Sequence, residues 1–285
     1  MNVLTLKPTP ITHDIPAYDD DLKAVHAAKD RWAITPINER IKLLKQVKKD
    51  LMDVAEDWVL AAGRNKQIKP GSPLLGEEWI SGPYAVMSGC NGLIATLSAM
   101  KEKKFLNPPK KRNLSNDQMA VQVLPHSIWD RLLLSGVYAE IWMKKGVNKK
   151  NLKNHAASAY DVPEYQRTGK VALILGAGNI AAITPLDAFQ KLFLENQVVI
   201  IKMNPVNEYL TPYLRKALSP LIAIDAVRIV QGNGDAGAYL CEHDLIDEIH
   251  ITGARSTHDK IVWGIDSEAH LNKRDRKSTR LNSSH

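Results

Sequence analysis

Four short apolar runs constrain this chain more than anything else in it. They read Lys170-Val-Ala-Leu-Ile-Leu175, Val198-Val-Ile-Ile-Lys202, Val227-Arg-Ile-Val230 and Glu248-Ile-His-Ile251. The first is a buried-type run, too uniformly apolar for a strand with one wet face, and the other three are short enough to read as strands as well. Helical stretches separate them: one from a Gly-rich turn through about Asn196, one over residues 209–222, one over residues 236–241. The β-α-β-α-β-α-β order demands a parallel sheet with helices over both faces. The predicted fold class is therefore α/β with a Rossmann-like parallel sheet.

The rest of the chain has a different character. Residues 1–20 carry prolines and no periodicity. Ile37, Ile41, Leu44, Val47 and Leu51 then follow helical spacing, with Thr35 expected as cap, Pro36 at an early position and Gly63 at the end. A second helix is expected over residues 83–103. Residues 120–124 and 137–142 alternate as strands do, and residues 149–167 read as helix and then loop. The expected divisions are a helical region over 1–117, a strand-pair arm over 118–168 and the sheet domain over 169–273.

The last eleven residues, Asp-Arg-Lys-Ser-Thr-Arg-Leu-Asn-Ser-Ser-His over 275–285, match codon for codon the in-frame translation of a common sequencing-library adapter. They are read as a non-native tail, so the natural sequence is expected to continue past residue 274.

Composition removes several function classes. The net charge is +7, of which the tail supplies +2. Residues 101–112 hold six Lys or Arg against Glu102 alone. With Pro108-Pro109 inside it, this stretch reads as a solvated loop rather than a nucleic-acid patch. Aromatic residues are only 6%, too few for repeated base stacking. The longest uncharged stretch near the middle, residues 171–186, is broken by Gly176, Gly178 and Pro185, and it is too short to span ~30 Å of hydrocarbon. No membrane span and no nucleic-acid partner are expected. Cys90 and Cys241 make neither a disulfide framework nor a zinc site, which suits a reduced cytoplasm. The spacing of His243, His250 and His258 fits no compact metal motif, so no metal is expected.

Gly176-Ala177-Gly178-Asn179-Ile180-Ala181 follows the first strand and matches the G-x-G-x-x-A pattern for a dinucleotide pyrophosphate. Its usual partner is an acid at the end of the second strand. That strand instead ends in Lys202-Met203-Asn204-Pro205, and an ammonium cannot accept a hydrogen bond from ribose.

The order of motifs resembles the aldehyde dehydrogenase superfamily. In that family an asparagine follows the first strand, and 23 residues separate it from the lysine ending the second; Asn179 and Lys202 stand at that interval. Gly232-Asn233-Gly234 occupies the place of the family's turn after the third strand. His243-Asp-Leu-Ile-Asp-Glu-Ile-His-Ile-Thr-Gly253 is similar to the family's run ending in Phe-Thr-Gly. The resemblance covers residues 169–264. It implies a divergent branch, with the leading helices and a β-hairpin oligomerisation arm ahead of the cofactor domain and the catalytic domain missing.

By that resemblance Asn179 would stabilise an oxyanion. Gly178, Lys202, Asn204, Gly232, Gly234, Thr252 and Gly253 would bind NAD or NADP. The parent would be an NAD(P)-dependent oxidoreductase, a homo-oligomer that oxidises an aldehyde to a carboxylic acid through a cysteine thiohemiacetal. The nucleophilic cysteine and base glutamate would lie downstream of this chain, which is expected to be inactive alone. Cys90 and Cys241 match neither role and read as buried apolar thiols. The family's ribose-binding glutamate falls on Pro205, and its serine after Thr-Gly falls on Ala254, leaving NAD against NADP open. The alternatives are an acyl-CoA or acyl-phosphate reductase on the same fold, a non-catalytic dinucleotide-binding protein, and a nucleic-acid binder using residues 101–112.

Overall fold

The structure, a computed structural model, describes residues 15–116, 118–125, 127–263 and 281–283. In chain order its elements are α1 (Ile15–Ala33), α2 (Ile37–Asn65), α3 (Leu75–Trp79), α4 (Ala85–Ser98), β1 (Lys111–Asn113), β2 (Met119–Leu124), α5 (Ile128–Leu133), β3 (Ala139–Trp142), β4 (Val171–Leu175), α6 (Ile183–Phe189), β5 (Val198–Lys202), α7 (Thr211–Ala217), α8 (Ser219–Ile222), β6 (Val227–Val230), α9 (Gly234–Glu242), β7 (Glu248–Ile251), α10 (Arg255–Trp263) and β8 (Leu281–Ser283). The chain divides into two compact units: Met1–Gly92 with Glu164–His285, and Leu93–Pro163. Among the described residues no helix is long and apolar enough to cross a membrane.

The first unit is built on a parallel sheet in the order β6-β5-β4-β7-β8. All five residues of β5 are buried, as are the first four of β4, which is what an apolar run without alternation requires. α1 packs on β4, β5 and β6, and α6 packs on β4 and β5. Trp32 of α1 meets Phe193 edge-on at 5.5 Å, and Phe193 meets Phe189 of α6 at 5.9 Å. The leading helices thus share one core with the sheet. β8 pairs with β7 through Ile249↔Leu281 and Ile251↔Ser283 and falls within the stretch read as a translated adapter. The remainder of that stretch lies outside the described residues.

The helices differ in detail from their sequence reading. Proline explains part of it, because it has no N–H to donate and clashes with the preceding turn. The stretch 209–222 is not one helix: Pro212 and Pro220 each open a new one, α7 and α8. The N-cap of α2 is Pro36, while the Thr35 hydroxyl donates back to Arg31 O at 2.8 Å. Gly63 lies inside α2, where a Cβ would stand 2.6 Å from Leu75 Cδ2. α4 ends at Ser98 and a 3₁₀ turn follows over Lys101–Leu106. Residues 149–167 hold three short 3₁₀ turns rather than a helix.

The second unit carries an antiparallel sheet in the order β1-β2-β3, one strand more than the sequence reading supplied. Met119, Val121, Val147 and Leu152 form a small core, with Leu106 and Met143 against it. Part of the basic run is held internally. Lys103 reaches Asp161 at 2.8 Å and Lys153 O at 2.6 Å, Lys111 caps Pro109 O at 3.0 Å, and Arg112 pairs with Glu140 at 2.6 Å.

Candidate functional site

In a parallel sheet the crevice forms outside the carboxyl ends of the strands, where successive connections leave in opposite directions. Here β5 lies on one side of β4 and β7 on the other. A cavity of about 1160 Å³ opens at that switch point. Its floor is the ends of three strands: Leu175 and Gly176 after β4, Lys202 of β5, and Ile251 and Thr252 at β7. One wall is α9, with Gly234, Gly237, Ala238 and Cys241. The other is the start of α10, with Gly253, Ala254, Thr257 and Ile261.

Of the residues expected to serve a site, the cavity gathers Gly178, Asn179, Lys202, Asn204, Gly234, Thr252 and Gly253. Gly232 does not line it. Its φ of 147° suits only glycine, and its N–H donates to Glu208 Oε1 at 2.8 Å. Gly232 therefore shapes the turn into α9 without facing the cavity.

The two glycines of the G-x-G turn have a role the motif does not suggest. A Cβ on Gly178 would stand 3.0–3.1 Å from the Asn204 side chain. On Gly176 it would meet Thr184 Oγ1 at 2.9 Å and Lys202 O at 3.2 Å. The glycines admit the chain leaving β5. The helix that follows begins only at Ile183, with Ala182 as its cap. Asn179 is thus no helix cap; it is exposed on the cavity rim.

Lys202 carries the sharpest electrostatic signal. It is 7% exposed and lines the cavity, yet its ammonium forms no hydrogen bond or ion pair among the described residues. Burial lowers its pKa, and the nearby negative potentials of Glu208 and Cys241 only partly offset this. Asn204 accepts from Val206 N–H at 3.1 Å and caps the turn after β5. Asn233 caps α9 by accepting from Asp235 N–H at 3.0 Å and Ala236 N–H at 3.2 Å. The Thr252 hydroxyl donates to Asp187 Oδ2 at 2.8 Å, and His250 Nε2 lies 3.3 Å from Asp187 Oδ1.

Sequence reasoning missed Asn207, whose Nδ2 donates to Ala177 O at 3.0 Å and locks the Gly turn to the segment after β5. It also left Asp187 without a role. Nothing local marks either, because each partner is distant in sequence. Cys241 is buried at the cavity wall. Cys90 is fully buried, and desolvation raises its thiol to about 12, out of reach of nucleophilic chemistry. No group of three or more His, Cys, Asp or Glu among the described residues is arranged to hold a metal.

No protein-family model matches the chain, and no curated protein matches it in sequence. Solved structures do. A 3,6-anhydro-L-galactose dehydrogenase aligns over 95% of this chain and 44% of its own, at 12% identity and a TM-score of 0.53. An NAD-dependent aldehyde dehydrogenase from Sinorhizobium meliloti aligns over 95% and 42%, at 14% identity and a TM-score of 0.50. PnpE in complex with nicotinamide adenine dinucleotide aligns over 93% and 42%, again at 14% identity and 0.50. Identities this low establish the fold: the described chain has the aldehyde dehydrogenase fold. It spans less than half the length of these chains.

Proposed function

We propose that this chain is the cofactor-binding part of an NAD(P)-dependent oxidoreductase that oxidises an aldehyde to a carboxylic acid. The observation that carries the reading is the cavity at the β4/β7 switch point, lined by an unpartnered buried ammonium. A nicotinamide dinucleotide fits the donor set. The small residues Gly237 and Ala238 with Cys241 and Ile261 make an apolar slot of the kind a flat purine enters. Gly253 and Ala254, which lead into α10, would offer backbone N–H groups to a pyrophosphate. Lys202 would hold the adenosine ribose.

When bound, the dinucleotide supplies the hydride acceptor. This chain's residues bind and orient it. Asn179, exposed on the rim, would donate from its neutral amide to the oxygen of a carbonyl under attack. Asp187 would hold the β7–α10 connection through Thr252. The attacking cysteine and the base are assigned to sequence beyond residue 274, so the polypeptide itself is expected to bind cofactor without turning over aldehyde. The parent is proposed to be a cytoplasmic homo-oligomer, with the second unit as its arm.

Titrating the 285-residue chain with NADH and NADPH, followed by nicotinamide fluorescence, tests the reading. Saturable one-site binding below about 1 mM is expected. No binding of either would remove the reading. Turnover of an aldehyde by this polypeptide alone would remove the assignment of the nucleophile.

A further inference from the structure

We propose that Asp187 biases the cavity toward the oxidised, positively charged form of a nicotinamide dinucleotide and away from its neutral, reduced form. The inference rests on the dinucleotide reading and adds a residue that tells the two redox states apart.

Asp187 lies on α6 behind the cavity, and its side chain is 14% exposed. Its Oδ2 accepts the Thr252 hydroxyl at 2.8 Å, and Thr252 lines the cavity floor. A largely buried carboxylate therefore stands one side chain behind the floor. The other oxygen, Oδ1, lies 3.3 Å from Nε2 of the buried His250 on β7, without a hydrogen bond between them. Lys191, one turn further along, is committed elsewhere: it pairs with Glu195 at 2.8 Å and Glu248 at 2.5 Å.

Position decides which part of a ligand meets this charge. Ile251 of β7 is in register with Leu175 of β4, so Thr252 and Gly176 leave the sheet side by side. Gly176 opens the turn that carries Asn179 to the rim, beside which the carbonyl under attack is proposed. A hydride acceptor has to reach that carbonyl carbon, so the nicotinamide end of the ligand belongs on this side. The slot proposed for the purine is built instead from α9 and α10. Oxidised nicotinamide is a pyridinium with one positive charge, and reduced nicotinamide is a neutral ring. A carboxylate largely shielded from water attracts the first and has little hold on the second. Lys202, Lys260, Asp235 and Glu242 also line the cavity. They are the same whatever stands at position 187, so a difference between two proteins isolates the one carboxylate.

The test is calorimetric titration of the 285-residue chain and of D187N with NAD+, NADH and ADP-ribose. It is run at pH 8.5, about two units above the ordinary imidazole value. Asparagine keeps an oxygen for the Thr252 hydroxyl and removes the charge. The ratio of the NADH to the NAD+ dissociation constant is expected to fall at least about fivefold in D187N, through weaker NAD+ binding. ADP-ribose lacks the nicotinamide, and its affinity should not change. A second measurement needs no variant. Benzamide adenine dinucleotide has the shape of NAD+ without the positive charge, and the unsubstituted chain should bind it at least about fivefold more weakly than NAD+. A ratio unmoved by D187N, ADP-ribose weakened as much as NAD+, or equal affinity for the benzamide analogue and NAD+ each overturn the inference while leaving a dinucleotide site standing. No binding of any of these ligands to the unsubstituted chain overturns the dinucleotide reading together with this one.

Discussion

At the level of single residues, the first unit depends on side chains that its sequence pattern marks as surface. Arg40 sits on a helical stretch among lysines and glutamates, yet it is fully buried. Its guanidinium donates to Thr35 O, Trp32 O and Ala33 O, capping the end of α1, and to Asn196 Oδ1 beyond the aromatic cluster. It also stacks on the Trp32 ring at 4.6 Å. R40M would remove the donor from Thr35 O and Ala33 O and from Asn196 Oδ1, leaving Trp32 O with Thr35 N–H alone, and a loss of about 3–5 kcal/mol in urea unfolding is expected. R40K should recover little, because a point charge cannot reproduce the fork of donors. Gly169 is the second case. A Cβ there would stand 2.1 Å from Lys29 O, and the Gly169 N–H donates to Asp30 Oδ1 at 2.8 Å. G169A is expected to yield little soluble protein, and recovery equal to the parent chain would contradict that close approach. Neither residue is legible in sequence, since a charge among charges and a glycine before a strand carry no sign of partners far away. The G-x-G turn is the inverse case. Its pattern is plain, while the close approach of Asn204 to Gly178 is not.

Whole elements were legible where one physical pattern dominates. β4 is apolar throughout and β5 is apolar up to its terminal Lys202, the pattern of strands covered on both faces. α5 escaped notice although Ser127 and Asp130 form a full capping box at 3.1 and 2.8 Å. The helix is short and none of its residues is buried, so no periodicity advertised it. The join between α6 and β7 was equally hidden. Lys191, fully buried in the π turn after α6, pairs with Glu195 at 2.8 Å and Glu248 of β7 at 2.5 Å. Burial alone would raise the Glu248 pKa, but hydrogen bonds from Lys191 and Gln197 bring it below its ordinary 4.5. A carboxylate whose folded pKa is lowered stabilises the fold above its unfolded value and ceases to as pH falls through the folded one. Stability of the unit should therefore drop as pH falls below about 4.5. E248Q should be less stable at pH 7 and show a shallower decline from pH 5 to 3. Thermal midpoints across that range decide it, and parallel curves for the two proteins would refute the linkage.

At the scale of the molecule, the second unit exposes several large apolar side chains beside a small core. Ile128 is 76% exposed, Trp129 65% and Leu132 68%, and all three lie on α5; Trp142 at the end of β3 is 59% exposed. Trp58 is core, while Trp129 and Trp142 have no core to enter. Isolated exposed apolar residues mean little, but three large ones on a six-residue helix fixed by its capping box form a patch that water disfavours. A second copy of this chain is the proposed occupant, in keeping with the arm assigned to the parent. The chain should then self-associate at micromolar concentration, and the association should persist in 0.5 M salt because the contact is apolar rather than ionic. W129E/L132E places charges where nothing is buried, so the unit should keep its fold while the dimer weakens by at least tenfold. Sedimentation equilibrium of both proteins, with circular dichroism to confirm unchanged secondary structure, separates the outcomes. A strictly monomeric parent chain would show that α5 meets some other surface. A dimer that ignores the double substitution would move the interface elsewhere, and one that dissolves in salt would return attention to the cations of residues 101–112 that remain outside the internal pairs.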